Sequence, residues 1–286
     1  MLIPMKIARV IQIATLTAVA ALAQNQQKAA PRDWNKPFPP HKVIGNIYSI
    51  GTAEISTFVI TTTEGNILIN SDFETTVPFL RANMEKLGLK LTDTKIILGS
   101  HAHGDHMEAD AMLKELSGAR VMAMEQDVPA LRNMKPGGKA HPIDKIFKDG
   151  DEVKLGTTTI KAHLTAGHTK GCTTFSMQTQ EAGKTYNVVI VCSVGWNPGY
   201  VLWNNKDYPQ IADDYVKSFK TLRSLACDIF LGPHGNFYDL EGKYPKMAKG
   251  GANPYIDPAG YQAYVDLKEK QFLDEFNRQK QAAGGK

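Results

Sequence analysis

The sequence has few cysteines, no strong excess of charge of one sign and no long uninterrupted apolar run. Three cysteines in 286 residues are too few for a disulfide scaffold, so a hydrophobic core must provide the stability. The formal net charge is only +4, from 33 basic and 29 acidic residues, and no basic stripe is interleaved with aromatic residues. We therefore expect no nucleic-acid partner.

The sequence also lacks linkers and low-complexity segments. A hydrophobic content of 42% with 22% charged residues is typical of a globular chain rather than a disordered one. Length alone allows one or two domains. Because no composition change divides the chain and no internal repeat is detectable, residues 24–286 are predicted to form a single domain.

The longest apolar run lies near the N-terminus and has the layout of a secretory signal. Lys6 and Arg9 precede the stretch Val10–Ala23, which ends in Ala-Leu-Ala before a polar run. An uncleaved anchor is the alternative, but 14 residues interrupted by two polar side chains fall short of the ~20 that span a bilayer. We expect a signal peptide over residues 1–23, export to the periplasm, and a monomeric mature protein without a membrane span.

Hydrophobic periodicity along the rest of the chain alternates between strand and helix. Predicted strands cover 43–50, 57–62, 66–70, 95–98, 120–124, 158–165, 172–178, 185–192 and 228–231. Predicted helices cover 77–87, 109–116, 211–222 and 260–279. This order predicts a mixed α/β (α+β) fold in which two β-rich layers are each covered by helices.

The strongest chemical signal follows the predicted strand at 95–98. The segment Ser-His-Ala-His-Gly-Asp-His places four side chains that can bind a metal within six residues: His101, His103, Asp105 and His106. Alternate residues of an extended chain point the same way, and Gly104 allows a turn that brings the last histidine to the others. Imidazole and carboxylate are ligands that suit Zn²⁺, which is the predicted metal.

Two further histidines, His168 and His234, follow predicted strands and stand beside glycine residues. Six donors can hold two ions and leave positions open for a shared water, which is typical of catalytic rather than structural zinc. Ordinary polar loop histidines are the alternative for either residue taken alone. The other histidines lack candidate co-ligands nearby and are expected to be surface or core residues: His41, His141 and His163.

The order and spacing of these motifs resemble the metallo-β-lactamase superfamily. The resemblance rests on the His-x-His-x-Asp-His loop, on Gly167-His168-Thr169 and on Gly232-Pro233-His234, and it covers nearly the whole predicted mature chain. The lead-in from Trp34 to Pro40, the continuation of the Gly-His-Thr motif and a serine at Ser193 are similar to the third subclass of class B β-lactamases (B3). The resemblance implies an αββα sandwich, the metallo-β-lactamase fold.

Carried over residue by residue, the resemblance implies two Zn²⁺ ions. The first would be bound by His101, His103 and His168, and the second by Asp105, His106 and His234. The implied reaction is attack of a metal-bound hydroxide on the β-lactam ring of penicillins, cephalosporins and carbapenems, with Asp105 orienting the water and moving its proton. Ser193 would bind the carboxylate of this small-molecule substrate.

Three features depart from the pattern of the resembled family. Gly195 stands where members often have a second serine, so carboxylate binding is expected to depend more on Lys170 or Asn197. Asn70 stands where relatives have an acidic residue supporting the metal ligands, a change that typically costs about 10- to 100-fold in affinity or activity unless Asp72 compensates. The loop at 131–144 looks short, which predicts a more open pocket.

The cysteines allow two interpretations. If the strands at 172–178 and 185–192 form a hairpin centred on Ala182, Cys172 and Cys192 are cross-strand neighbours and are compatible with a disulfide. Three free thiols are the alternative. Three aromatic residues after Ser193 either wall the pocket or fill the core, with the core favoured: Trp196, Tyr200 and Trp203.

Two other functions compete with β-lactam hydrolysis. A lactonase or a glyoxalase-II-like thioesterase would use the same scaffold, but such relatives typically place a metal-bridging aspartate where this chain has Cys192 and Ser193. A zinc-binding protein without catalytic activity is the second alternative, since Asn70 and Gly195 depart from the pattern.

Overall fold

Two β-sheets pack face to face in the computed structural model, which describes residues 33–284. The predicted signal peptide lies outside these residues. The first sheet has seven strands in the order β1 to β7, and the second has five in the order β12-β11-β10-β9-β8. The strands are β1 (His41–Ile44), β2 (Ile47–Ser49), β3 (Phe58–Thr62), β4 (Gly65–Ile69), β5 (Thr94–Leu98), β6 (Arg120–Met124), β7 (Lys145–Phe147), β8 (Glu152–Leu155), β9 (Thr158–Leu164), β10 (Thr173–Glu181), β11 (Lys184–Ile190) and β12 (Ile229–Leu231).

Seven α-helices accompany these strands in residues 33–284. They are α1 (Val77–Lys86), α2 (Gly104–Met107), α3 (Asp110–Ser117), α4 (Val128–Asn133), α5 (Ile211–Ser224), α6 (Leu240–Ala248) and α7 (Pro258–Ala282). None of the helices in this part of the chain is both long and apolar enough to cross a membrane.

The alternation of side chains along the strands explains the layers. In β3, Phe58 and Ile60 join the cluster between the sheets, whereas Val59 belongs to a second cluster with Leu80 of α1 and Leu113 of α3. On the far side of the second sheet, helices α5 and α7 contact each other, and α7 contacts β12. The predicted αββα sandwich is therefore confirmed.

Parallel pairing brings the motif-bearing loops to one edge of each sheet. Strands β4, β5 and β6 are mutually parallel in the first sheet, and β11 and β12 are parallel in the second. Their carboxyl ends therefore lie together within each sheet, and the loop after each strand begins at that edge. The His-x-His-x-Asp-His segment follows β5 directly, and His234 follows β12.

The predicted strand at 43–50 is wrong, because this segment is the β1–β2 hairpin. Gly45 begins the turn with φ 53°, and a Cβ atom there would lie 2.1 Å from Thr179 Oγ1. Glycine is therefore required by both the backbone conformation and the close approach of β10.

The predicted centre of the second hairpin is also wrong by half a residue. Glu181 pairs with Lys184, so the turn consists of Ala182 and Gly183. Cys172 and Cys192 lie just outside the paired ladder and still form a disulfide, with 5.8 Å between their Cα atoms. Cys227 is the free cysteine of the described chain, and burial raises the pKa of its thiol to about 12.

The sequence pattern did not predict four short elements. Strands β7 and β8 have only three and four residues and one buried position each, so they are too short to show an apolar periodicity. Helix α4 has only six residues, and α6 contains Pro245, which argues against a helix in a sequence pattern.

Candidate metal centre

Three of the predicted ligands form a compact group at the sheet edges, here called the first triad: His101, His103 and His168. Every pair of these rings has its centroids 4.7 Å apart. His168 Nε2 lies 3.2 Å from His103 Nδ1. The two segments that carry these rings, after β5 and after β9, therefore direct nitrogen atoms at a common point.

The other predicted ligands form the second triad: Asp105, His106 and His234. Asp105 Oδ2 lies 3.0 Å from His106 Nε2 and 3.7 Å from His234 Nε2. The His101 and His106 rings, one from each triad, have their centroids 4.3 Å apart. All six side chains predicted from the sequence thus meet in one cluster that contains two sets of three donors.

Glycine residues allow this close packing. A Cβ atom at Gly167, which has φ 135°, would lie 2.9 Å from the Tyr215 ring. A Cβ atom at Gly235 would lie 2.2 Å from the Ala53 carbonyl oxygen. The glycines beside His168 and His234 are therefore needed where the chain bends into the site.

Backbone carbonyl groups orient two of the imidazoles. His168 Nδ1 donates to the Gly195 carbonyl at 2.9 Å, and His234 Nδ1 donates to the Glu54 carbonyl at 3.1 Å. In each ring this bond places the proton on Nδ1 and leaves the Nε2 lone pair directed into the cluster. Metal-binding histidines usually have such an outer hydrogen bond.

The imidazoles of the first triad are kept neutral. Burial lowers the pKa of His168 to about 4, with the neighbouring His103 adding to the effect. Burial also lowers the pKa of His103 and brings that of His101 well below its ordinary value. Neutral imidazole is the form that binds a metal.

Asp105 remains a carboxylate. Burial by itself would raise its pKa, but the imidazoles of His106, His234 and His103 hold the pKa of Asp105 well below its usual range. The cluster therefore combines the negative charge of Asp105 with the neutral imidazoles of the first triad.

The donor set fits divalent metal ions. His101 Nε2 and His106 Nδ1 are buried without a hydrogen-bond partner, although such atoms are rare in folded proteins. Two sets of three donors, nitrogen and carboxylate oxygen, match the three protein ligands typical of catalytic zinc. The first triad could hold one ion and the second triad another.

Asn70 links two backbone segments near the site. Its side-chain oxygen accepts a hydrogen bond from Ser100 N at 2.9 Å, and its NH₂ group donates to the Ser56 carbonyl at 3.4 Å. The expected compensation by Asp72 is not provided by a hydrogen bond, because that carboxylate bonds Phe73 N and none of the six ligands. Burial raises the pKa of Asp72 to about 7.

The segment after β11 lies against His168. Ser193 is buried, and two residues later the Gly195 carbonyl accepts hydrogen bonds from His168 and from the Tyr215 hydroxyl at 2.7 Å. A cavity of about 590 Å³ borders His168 and is also lined by Lys170 and Tyr200. Lys170 Nζ donates to the Asp207 carbonyl at 3.3 Å and lies over the Tyr208 ring.

The three aromatic residues after Ser193 divide between the two roles considered. Tyr200 stacks on the His168 ring at 6.1 Å between centroids and donates its hydroxyl to the His168 carbonyl, so it contributes to the site. Trp203 packs against Phe276 of α7, and Trp196 is partly buried against the core.

Sequence reasoning missed Asp127, which follows β6 at the same sheet edge as the ligands. Its carboxylate accepts hydrogen bonds from Ala102 N, Thr169 Oγ1 and Gly171 N at 2.7–2.9 Å. Burial raises the pKa of Asp127, and these donors oppose the rise. An aspartate three residues after a buried strand parallel to β5 was the available signal.

The histidines left out of the site do lie elsewhere. His41 contacts Tyr255, His163 contacts Ser176, and His141 pairs with Asp110 at 3.1 Å. His141 belongs to the loop at 131–144, which therefore contacts the start of α3. That this loop leaves the pocket more open remains a prediction.

Comparisons with known proteins agree with this geometry. The family model of the metallo-beta-lactamase superfamily matches residues 50–234. The native FEZ-1 metallo-beta-lactamase from Legionella gormanii is 43% identical, with 86% of this chain and 98% of that chain covered and a TM-score of 0.83. BJP-1, a subclass B3 metallo-beta-lactamase of Bradyrhizobium japonicum, is 33% identical, with 88% and 98% covered and a TM-score of 0.80.

Curated sequences give shorter matches. A hydroxyacylglutathione hydrolase from Methylobacterium sp. is 32% identical over 121 residues, which are 41% of this chain and 43% of that protein. The chain thus spans less than half the length of this curated relative. On the family match and the likeness to solved subclass B3 structures, the chain belongs to the metallo-beta-lactamase superfamily.

Proposed function

We propose that the chain is a zinc-dependent hydrolase that opens the β-lactam ring of penicillins, cephalosporins and carbapenems. The proposal is supported by the six donors of the two triads and by the likeness to subclass B3 metallo-beta-lactamases over most of the chain. The first triad would hold one Zn²⁺ ion and the second triad another.

The metal supplies chemistry that the side chains lack. When bound, Zn²⁺ lowers the pKa of water to about 7, which provides a nucleophile at neutral pH, and it polarises a carbonyl oxygen. The contribution of the protein is to fix the donors: carbonyl groups hold the His168 and His234 rings, and buried packing keeps the first-triad imidazoles neutral.

Asp105 is suited to orienting a water molecule and handling its proton. Its side chain is 17% exposed, whereas His106 beside it is fully buried, so solvent reaches the carboxylate from the open side. The adjacent imidazoles keep it ionised, and it can accept a hydrogen bond from water throughout the neutral pH range. From there the proton can move to the nitrogen that leaves when the ring opens.

Lys170 and Ser193 are the groups proposed to bind the substrate carboxylate. Both lie on segments adjoining His168, and Lys170 is paired with a carbonyl group and an aromatic ring rather than with an acidic side chain. Its ammonium group therefore keeps its attraction for a substrate anion.

The observation that carries the choice of β-lactams is the segment after β11. Residues 191–195 contain no carboxylate that could bridge two metals, and Cys192 is closed in a disulfide. A thioesterase or lactonase remains the second candidate, because the local similarity to hydroxyacylglutathione hydrolase favours it.

One panel of substrates tests this choice. The purified chain is assayed on a penicillin, a cephalosporin, a carbapenem, a thioester and a lactone, before and after chelation and with zinc restored. We expect β-lactam turnover that chelation abolishes and zinc restores, with His163→Ala as a matched histidine control that retains full activity. Thioester or lactone turnover alone would replace the proposal with the second candidate, and no turnover would favour a zinc-binding protein.

Export to the periplasm is part of the same proposal. The basic residues and apolar run of residues 1–23 support it, and β-lactam antibiotics act outside the cytoplasm. N-terminal sequencing of protein from a periplasmic extract should begin at Gln24, and protein retained in the cytoplasm with Met1 intact would contradict it.

A further inference from the structure

Asp127 is a buried carboxylate that joins the two segments of the first triad. It ends a short 3₁₀ helix (Glu125–Asp127) after β6 and is only 3% exposed. Its Oδ2 accepts from Ala102 N at 2.8 Å and from Thr169 Oγ1 at 2.9 Å, while its Oδ1 accepts from Gly171 N at 2.7 Å.

Two of the three donors lie next to the ligands in the chain, and Gly171 lies three residues after His168. Ala102 stands between His101 and His103, and Thr169 directly follows His168. One carboxylate therefore fixes the backbone beside all three imidazoles of the first triad. Because both segments hydrogen-bond the same group, their separation is set by the size of a carboxylate.

Glycine at position 171 allows this close approach. A Cβ atom there would lie 2.5 Å from Asp127 N and 2.6 Å from its side-chain carbon atoms. The second segment can thus reach the carboxylate only because this residue has no side chain.

The charge of Asp127 has no lysine or arginine partner among the described residues. In residues 33–284 no lysine or arginine forms an ion pair with it, and burying an unpaired carboxylate is costly. Three hydrogen bonds offset part of that cost, and a divalent cation held by the neighbouring neutral imidazoles would supply the opposite charge.

We propose that Asp127 is a positioning residue that sets the spacing of the first triad and thereby its affinity for metal. It acts through Ala102, Thr169 and Gly171 rather than by touching metal or substrate. The proposal rests on the proposed function only in that a divalent metal binds, and it does not depend on the substrate.

The test compares metal binding by wild-type protein, Asp127→Asn and Asp228→Asn. Asparagine has nearly the shape of aspartate but presents an NH₂ group to one of the three donors and removes the charge. Asp228 is the matched control, because its carboxylate also accepts two hydrogen bonds, from Asn187 N at 2.8 Å and Nδ2 at 3.0 Å, at the end of β12 away from His234.

Two readouts are needed besides activity: zinc affinity by competition with a chromophoric chelator, and the absorption spectrum of the Co²⁺-loaded protein. We expect Asp127→Asn to lower the affinity for one of the two zinc ions about 10- to 100-fold and to change the Co²⁺ spectrum. Asp228→Asn should leave both unchanged, even if it lowers the unfolding temperature.

If Asp127→Asn does not fold, a milder pair of variants at Thr169 tests the role of Asp127. Thr169→Val removes one donor while keeping the side-chain shape, and Thr169→Ser keeps the hydroxyl. We expect a loss of zinc affinity of about fivefold for the valine variant, and near wild-type binding for the serine variant.

The outcomes separate this proposal from the proposed function. Wild-type zinc affinity and Co²⁺ spectrum in folded Asp127→Asn, or equal zinc affinity in the two Thr169 variants, would overturn the role of Asp127 alone. A wild-type chain that binds zinc but hydrolyses no β-lactam would overturn the proposed function and leave this role intact. A wild-type chain that binds no divalent metal would overturn both.

Discussion

The first and second triads adjoin each other but are held by different means. The first triad consists of three neutral imidazoles from segments joined by the Asp127 carboxylate and backed by the Cys172–Cys192 disulfide. The second triad contains its own charge, since Asp105 attracts the two imidazoles beside it. Its outer contacts are backbone carbonyls, with Glu54 accepting from His234 and the His106 carbonyl accepting from Ser71 N at 2.8 Å.

This difference indicates two ways in which the site can fail. The first triad depends on geometry imposed from outside, so changes in the supporting residues should alter its affinity for metal. The second triad depends on the charge of one of its members, so loss of that charge should alter the chemistry.

The largest effect should come from removing the charge of the second triad. We expect Asp105→Asn to lower kcat on β-lactams by about 10²- to 10⁴-fold, because the amide cannot take up a proton. The measurement is steady-state kinetics together with zinc content. Glu108→Gln, at the end of the same short helix, is the control and should retain activity. Unaltered turnover by a variant with full zinc content would contradict the role of Asp105.

In the metal-free protein, the contribution of the first triad to stability should be lost at a higher pH than that of the second triad. Burial lowers the pKa of His168 from 6.5 to about 4, so between these pH values the unfolded chain binds a proton that the folded chain does not. The stabilisation is complete above pH 6.5 and is lost as the pH falls to 4, at a cost of about 3 kcal/mol from this residue. The pKa of Asp105 is lowered from 3.8, so its contribution is lost only at lower pH.

Urea unfolding of the chelated protein at a series of pH values measures this effect. His168→Gln should remove about 3 kcal/mol of the loss between pH 6.5 and 4, whereas Asp105→Asn should retain that loss, because the Asp105 charge raises the pKa of His168. An unfolding free energy for the wild type that stays constant from pH 7 to 4 would contradict the burial of neutral imidazoles.

Loss of the disulfide should destabilise the segments of the first triad more than those of the second triad. The disulfide closes a loop with a sequence separation of 20, and Cys192 Sγ lies 3.6 Å from His101 Nδ1. The double variant Cys172→Ser, Cys192→Ser should lose about 3 kcal/mol of unfolding free energy. Denaturant titration checks this, with Cys227→Ser as the control for a lone thiol. An unfolding free energy of the double variant equal to that of Cys227→Ser would contradict a stabilising role of the disulfide.

The smallest effect is expected at the edge of the site. Lys170→Met should lower kcat/KM about two- to fivefold for substrates that carry a carboxylate, because an exposed ion pair is worth up to about 1 kcal/mol. A substrate of the same ring type with the carboxylate esterified is the comparison. A loss of equal size for both substrates would indicate that Lys170 acts through packing, not charge.

The ligands could be predicted from the sequence because four of them occupy six consecutive positions after one strand. His168 and His234 were predictable from their strand-end positions and from their resemblance to family motifs. In the second sheet β9, β11 and β12 run in the same direction, and in the first sheet β4 and β5 are parallel, so the segments after these strands begin at a shared edge of each sheet.

The supporting contacts could not be predicted in the same way. Asp127 bonds groups 25, 42 and 44 residues away, and separations of this size leave no local pattern. The role of Asn70 as a link between Ser100 and Ser56 depends likewise on two segments that meet only after folding. The hairpin register was missed by half a residue because Ala182 and Gly183 share the turn.

Zinc stoichiometry is the most direct test of the central claim that six side chains from separate segments form two metal sites. Elemental analysis after gel filtration in dilute zinc should give two ions per wild-type chain, and about one in His168→Gln and in His234→Gln if each triad holds one ion. A wild-type chain that retained no zinc, or variants that kept both ions, would contradict the account.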